Sequence, residues 1–198
     1  MTFETLTALA LYSTAASITP GPNNLMLLAS GANFGIRRTV PHALGIGIGF
    51  TAMVVIVGLG FGAVTDLIPG FATGLRYASI AYMLWLSYKL ATSGSLGSAE
   101  AGARPMSFWG ACLFQWVNPK AWAMALTATA LYTSTENYTV SVLMVAAVFG
   151  TVNLPCISVW AGFGVALRKI LAVPARLRAF NIAMAALLLA STLPFVLA

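Results

Sequence analysis

Between Glu4 and Arg37 the chain carries no charged residue, and most of what lies between them is apolar. An α-helix needs about 20 such residues to cross the hydrocarbon core of a bilayer, and charges mark where a crossing must end. Applied to the whole chain, this rule gives six spans, at about 5–34, 41–64, 71–90, 107–132, 139–167 and 179–197. Only 7% of the residues are charged, against about 25% in an ordinary soluble domain. Too few polar groups exist to cover a water-facing surface, so the chain is expected to be an all-α integral membrane protein with the lipid bilayer as its partner. A soluble globular domain is excluded. The net charge of +6 does not point to nucleic acid, because the basic residues occupy short gaps between apolar runs instead of clustering with aromatics on a polar face.

The stretch 92–106 is rich in Ser, Gly and small polar residues and lies near mid-chain. It divides the chain into a first three-helix repeat (1–91), a polar linker loop (92–106) and a second three-helix repeat (107–198). Leu75-Arg76 followed by Ile80-Ala81 recurs as Leu177-Arg178 followed by Ile182-Ala183, and Pro22 and Pro119 interrupt the first span of each half. Proline- or glycine-interrupted spans at matching positions of two halves are the sequence pointer to a secondary-transporter site. Three helices is an odd number, so the second repeat inserts inverted relative to the first. Arg37 and Arg38 in loop one, Lys89 and Arg104 around loop three, and Arg168, Lys169, Arg176 and Arg178 in loop five place these loops in the cytoplasm by the positive-inside rule. Both termini then face outward. Glu4 stands where a signal peptide would carry basic residues, so the first span is expected to be retained.

The sharpest local feature is Thr19-Pro20-Gly21-Pro22-Asn23-Asn24 in span one. Each proline lacks an N–H, so the carbonyls of Ala16 and Ile18 lose their helical donors, and Gly21 loosens the backbone between them. Irregular backbone at membrane depth is tolerated where it is buried in protein or lines an aqueous cavity, and a helix restarting at Pro22 aims free N–H groups at such a cavity. A carboxylate suits that place; the plainer reading is a kink that only shapes packing. The second feature is Gln115-Trp116-Val117-Asn118-Pro119-Lys120 in span four. Asn118 and Pro119 form an N-cap and first-turn pair, which restarts the helix and frees the Gln115 carbonyl. Lys120 then lies in the first turn, where a cation is opposed by the helix dipole and by desolvation unless an anion joins it. Snorkelling is the alternative, but Ser107 and Tyr132 are 13 and 12 residues away, about 20 Å along a helix. Span five contains Asn153-Leu154-Pro155, read as a third interruption; Asn153 either completes the cavity or makes an interhelical hydrogen bond. Trp116, Trp122 and Trp160 are candidates to line the same space, although for each of them ordinary packing or an interfacial belt is the plainer reading.

Other patterns carry less. The Gly45–Gly49 and Gly58–Gly62 runs lack the strand-to-helix junction and acidic residue of a dinucleotide site, and are better read as close helix packing, like the Gly31 to Gly35 spacing. His42 is the only histidine, beside Pro41 and the Arg37-Arg38 loop, which leaves no metal-ligand cluster and no histidine-based nucleophile relay. Cys112 and Cys156 sit inside apolar runs and make no disulfide framework. No Asp or Glu lies inside a span, and no nucleotide site is present, so neither an enzyme, a cofactor, nor a primary pump is expected. A passive channel or a structural subunit of a membrane complex is the alternative, although neither needs Lys120 or the paired breaks.

Ile18 to Asn24, the glycine-rich second span and Asn118-Pro119-Lys120-Ala121 resemble the signature of the LysE/RhtB amino-acid exporters. The resemblance runs over essentially the whole chain in length and span count. Thr19 to Asn24, Ser107-Phe108-Trp109 and Phe114-Gln115-Trp116-Val117-Asn118 are similar, more loosely, to the cysteine/O-acetylserine branch of that family. The resemblance implies proton-driven efflux of amino acids or close derivatives across the bacterial cytoplasmic (inner) membrane, and carries the family's motif positions onto Pro20, Gly21, Pro22, Asn23, Asn118, Pro119 and Lys120. It names no residue for the coupling proton. Together with the reading of the breaks, it gives one expected mechanism, with Asn24, Gln115 and Asn153 beside those residues. The substrate carboxylate meets Lys120 and the helix start at Pro22, and its ammonium meets carbonyls freed near Ala16, Ile18 and Gln115. A homodimer packed through the glycine faces of span two, or elsewhere, is the expected assembly.

Overall fold

The structure is a computed structural model that describes residues 1–60, 67, 70–92, 104–191 and 193. Asp66, most of the linker loop and the end of the sixth predicted span lie outside the described residues. Within them the regular structure is entirely helical: α1 (Phe3–Ile18), α2 (Pro22–Phe34), α3 (Ile36–Gly58), α4 (Phe71–Ala91), α5 (Phe108–Phe114), α6 (Pro119–Tyr132), α7 (Tyr138–Leu167) and α8 (Pro174–Ala190). A 3-10 turn, Gln115–Val117, joins α5 to α6, and another, Ile170–Ala172, precedes α8.

Local chemistry sets most helix starts. The Thr2 hydroxyl accepts from the Thr5 N–H at 3.2 Å, with Glu4 in the first turn, and the Ser107 hydroxyl accepts from the Gly110 N–H at 3.0 Å. Each satisfies a backbone donor that a helix start leaves over. Pro22, Pro119 and Pro174 all occupy the first turn of a helix, where a missing N–H removes nothing.

The first predicted loop shrinks to one residue. Gly35 has φ of 79°, a left-handed conformation that glycine adopts without strain, and it turns α2 directly into α3. Arg37 and Arg38 therefore lie in the first turn of α3 and not in a loop, and Pro41 lies inside the helix. The predicted break at Pro155 does not occur either, since α7 runs unbroken from Tyr138 to Leu167. Pro155 removes one backbone hydrogen bond, but buried neighbours hold the helix on both sides of it, Asn153 and Ile157 among them.

Helix α7 is the central element, and α1, α2 and α3 pack along it. α3 also packs on α5 and α6, and α4 packs on α8. Glycine permits the tightest of these contacts, because lipid supplies no hydrophobic drive for one apolar helix to leave it for another. A Cβ added at Gly164 would strike the Leu28 carbonyl, and one at Gly31 the Ala161 carbonyl, so α2 and α7 touch backbone to backbone. Gly45 and Gly49 meet α5 in the same way, at Phe108 and Cys112. Aromatics fill one core, with Phe50 edge-on to Phe149 at 5.3 Å between ring centres and Trp116 edge-on to Trp122 at 5.9 Å.

α3 and α7 are each long and apolar enough to cross a membrane. Outside, the molecule shows Leu11, Ile48, Ile56, Leu84, Leu113, Leu131 and Phe163, all exposed. An apolar exterior of this extent matches a lipid-facing surface.

Candidate functional site

The backbone breaks where the prolines demand it. α1 stops at Ile18, residues Thr19 to Gly21 are extended, and α2 starts at Pro22 with no side chain capping its N-terminus. Further along the chain α5 tightens into the 3-10 turn, and α6 restarts at Pro119 with the Asn118 side chain accepting from the Lys120 N–H at 3.1 Å.

The two breaks face each other. The Lys120 Nζ donates to the Thr19 carbonyl at 2.7 Å, to the Thr19 hydroxyl at 3.0 Å and, at 3.4 Å, to the Pro20 carbonyl. Three acceptors suit the three donors of an ammonium. The lysine stem lies along Gly21, where a Cβ would stand 2.7 Å from Lys120 Cδ. Asn23 and Gln115 pair amide to amide across the halves, at 2.9 and 3.2 Å, and Gln115 also donates to the Ala111 carbonyl at 2.9 Å. Asn24 donates to the carbonyls of Ser17 and Thr19, both at 2.8 Å, which ties the start of α2 to the end of α1. Asn153 donates to the Ser17 hydroxyl at 3.1 Å, while its buried Oδ1 accepts from nothing.

The carbonyls expected to be free are not. Ala16 accepts from the Thr19 hydroxyl at 3.0 Å, Ile18 from the Trp160 indole at 3.1 Å and Gln115 from the Asn118 N–H at 3.3 Å. Backbone carbonyls in a folded chain seldom stay unpaired, and here the donors come from the breaks themselves, at Thr19 and Asn118, and from Trp160 on α7. The acceptors that a cation meets are one turn further on, at Thr19 and Pro20, and Lys120 itself occupies them.

A cavity of about 20 Å³ lies between the breaks, lined by Ser17, Gly21, Asn23, Asn24, Phe50, Asn118, Lys120, Met124 and Asn153, among others. That is room for about one water molecule. Of the residues expected from sequence, Gly21, Asn23, Asn24, Asn118, Lys120 and Asn153 line it. Pro20, Pro22, Gln115 and Pro119 are not among its lining residues. Trp116 and Trp122 pack in the core, where the Trp122 indole donates to the Trp116 carbonyl in the 3-10 turn at 2.9 Å, and Trp160 reaches the other break at Ile18; none of the three lines the cavity. Ser17, Phe50 and Met124 escaped the sequence reading. For Ser17 a signal existed: Ser13 and Ser17 are four apart on an apolar helix and both are buried. Phe50 and Met124 look like any core residue. Among the described residues no cluster of His, Cys, Asp and Glu could hold a metal.

The description of the LysE type translocators matches residues 14–198. The chain is 34% identical over 169 residues to the cysteine/O-acetylserine efflux proteins of Escherichia coli (strain K12) and Shigella sonnei (strain Ss046), covering 81% of this chain and 83% of each relative. That of Shigella flexneri is similar to the same extent. No solved structure matches the chain. With an apolar exterior and two proline-marked helix starts meeting at one half-buried lysine, this multi-pass membrane protein belongs to the LysE type translocator family.

Proposed function

We propose that the protein is a secondary carrier that exports small neutral amino acids or close derivatives, cysteine and O-acetylserine among them, from the bacterial cytoplasm in exchange for protons. The observation that carries this reading is the meeting of the two helix starts at Lys120, Thr19 and Pro20. The proposed architecture has six spans arranged as two inverted three-helix repeats, with spans one and four broken and both termini outside.

The packing supports the repeat. Span one lies on span five (α1 and α2 on α7), and span two lies on span four (α3 on α5 and α6). Exchanging the two halves turns the first contact into the second, and the third helix of each half, α4 and α8, pack on one another. Arg168 beyond α7 lies beside Gly35, which supports loops one and five at the same end.

In the proposed cycle the halves part, because a cavity of about 20 Å³ holds a water and not an amino acid. The substrate carboxylate then takes the Lys120 ammonium together with the N–H groups at the start of α2. Its own ammonium takes the place that Lys120 leaves at the Thr19 and Pro20 carbonyls. Closure on the opposite side completes alternating access. The names of the relatives support cysteine and O-acetylserine as cargo.

Inside-out vesicles with an acidified lumen test this reading, using labelled cysteine, O-acetylserine, homoserine, threonine, leucine, lysine and arginine. Accumulation of the small neutral members that collapses with the pH gradient is expected. Flux without counterflow exchange would make the protein a passive channel, and no flux of any member would overturn the carrier reading.

A further inference from the structure

A second buried polar layer lies away from the Lys120 cavity. It comprises Ser30 and Asn33 on α2, Thr39 and His42 on α3, and Asn181 on α8, all almost fully buried. From Asn23 at the cavity to Ser30 is seven residues along α2, about 10 Å. Four of the five side chains are paired. Asn33 donates to the Ala29 carbonyl at 2.8 Å and to Asn181 Oδ1 at 3.4 Å, the Ser30 and Thr39 hydroxyls lie 2.9 Å apart, and Thr39 reaches the Gly35 carbonyl at 2.9 Å.

His42 is the exception. It follows Thr39 by one helical turn, is 2% exposed, and neither ring nitrogen has a hydrogen-bond partner. A histidine kept for packing alone would be expected to pair at least one nitrogen with a neighbour, as buried polar groups do, and a leucine or phenylalanine would fill the space without that penalty. The groups around it leave the imidazole alone in its chemistry. α2 carries no titratable side chain. α5 offers Cys112, which donates to the Gly45 carbonyl at 3.2 Å, and α7 offers Cys156 and, at its far end, Tyr138. α6 carries Lys120, engaged at the cavity, and Tyr132. Arg37 and Arg38 share α3, the latter over the Phe34 ring at 5.6 Å, and Arg168 lies beside Gly35. No Asp or Glu occurs inside any span.

We propose that His42 is the residue that carries the coupled proton, on geometry that buries an unpartnered imidazole between the Gly35 turn and the substrate cavity. The proposal rests on the proton-coupled carrier reading above. An imidazolium needs an acceptor at each ring nitrogen, and the backbone and side chains packed around His42 supply none. Proton uptake at the free ring nitrogen is therefore tied to parting of the helices on one side, and release to parting on the other. The proton goes on and comes off the same nitrogen, and no other bond changes. Coupling of this kind is the use to which intramembrane ionisable groups are put in carriers.

The test compares wild type with His42→Gln in inside-out vesicles, using O-acetylserine and the rest of the labelled panel in two assays. The expected result is counterflow near the wild-type rate, with pH-driven accumulation down about tenfold or more. Accumulation by His42→Gln at the wild-type level overturns the proposal. Wild-type counterflow without pH-driven accumulation overturns proton coupling and His42's role together, while the carrier reading stands. A second measurement needs no variant. His42 is the one histidine of the chain, so ring-nitrogen NMR of histidine-labelled protein in liposomes reports this site alone. An imidazolium signal that grows as pH falls from about 8 to about 5, and whose share changes on adding substrate, is expected; a ring that stays neutral throughout refutes the proposal.

Discussion

Replacing Lys120 by methionine keeps the length of the side chain and removes its charge and donors. The structure separates two consequences. For folding, the loss is small, because the Thr19 carbonyl keeps its bond from Asn24 at 2.8 Å and the lysine lies in a partly open position. One charge-assisted hydrogen bond is worth about 1.5–3 kcal/mol, and the surviving donor brings the expected destabilisation to about 1–2 kcal/mol. For transport, the same group is the one cation among the residues lining the cavity, and without it a carboxylate is left with the N–H groups at the start of α2 and no full positive charge. A loss of about 1.5–3 kcal/mol in substrate interaction amounts to roughly 10- to 100-fold in affinity or rate. Thermal unfolding of the detergent-purified protein and initial uptake into inside-out vesicles measure the two terms separately. Lys120→Met protein that inserts, melts close to wild type and still exports within about twofold of the wild-type rate would refute the placement of the carboxylate. Collapse of the fold itself would refute the claim that Asn24 carries the break.

Asn153→Leu removes a buried oxygen that has no partner together with one bond to the Ser17 hydroxyl; these terms oppose each other, so unfolding should shift by less than about 1 kcal/mol, while initial uptake should fall because this side chain lines the cavity. Gly164→Leu drives a side chain into the Leu28 carbonyl at the α2–α7 contact. Overpacking of this kind costs about 1–3 kcal/mol or more, and the variant should lose folded yield on size-exclusion chromatography, whereas Gly162→Leu, which meets nothing nearby, should not.

Much of the site was legible because its cause is local. Pro22 and Pro119 interrupt apolar spans, and the helices start again at those residues. Asn118 reads as an N-cap from its neighbours alone, and its side chain caps α6. Pro155 shows where this logic stops: the same missing N–H left α7 intact, because packing on both sides outweighs one lost hydrogen bond. The freed carbonyls at Ala16, Ile18 and Gln115 were misread for a related reason, since donors that close them come partly from elsewhere in the fold, as with Trp160 at Ile18. His42 offered no signal in sequence beyond its isolation, because burial of both ring nitrogens depends on helices far along the chain.

The scarcity of charge, the length of the apolar runs and the proline-marked helix starts are properties of neighbouring residues, and the sequence alone determined from them that this chain is helical, bound for a membrane and restarts its helices at Pro22 and Pro119. Only the tertiary structure decided what the interruptions meet. Lys120 finds the carbonyl of Thr19, 101 residues away, and Gln115 finds Asn23, 92 residues away. A donor without a helical partner can be satisfied by any acceptor that packing brings within about 3 Å, and which one it is depends on how the two halves dock.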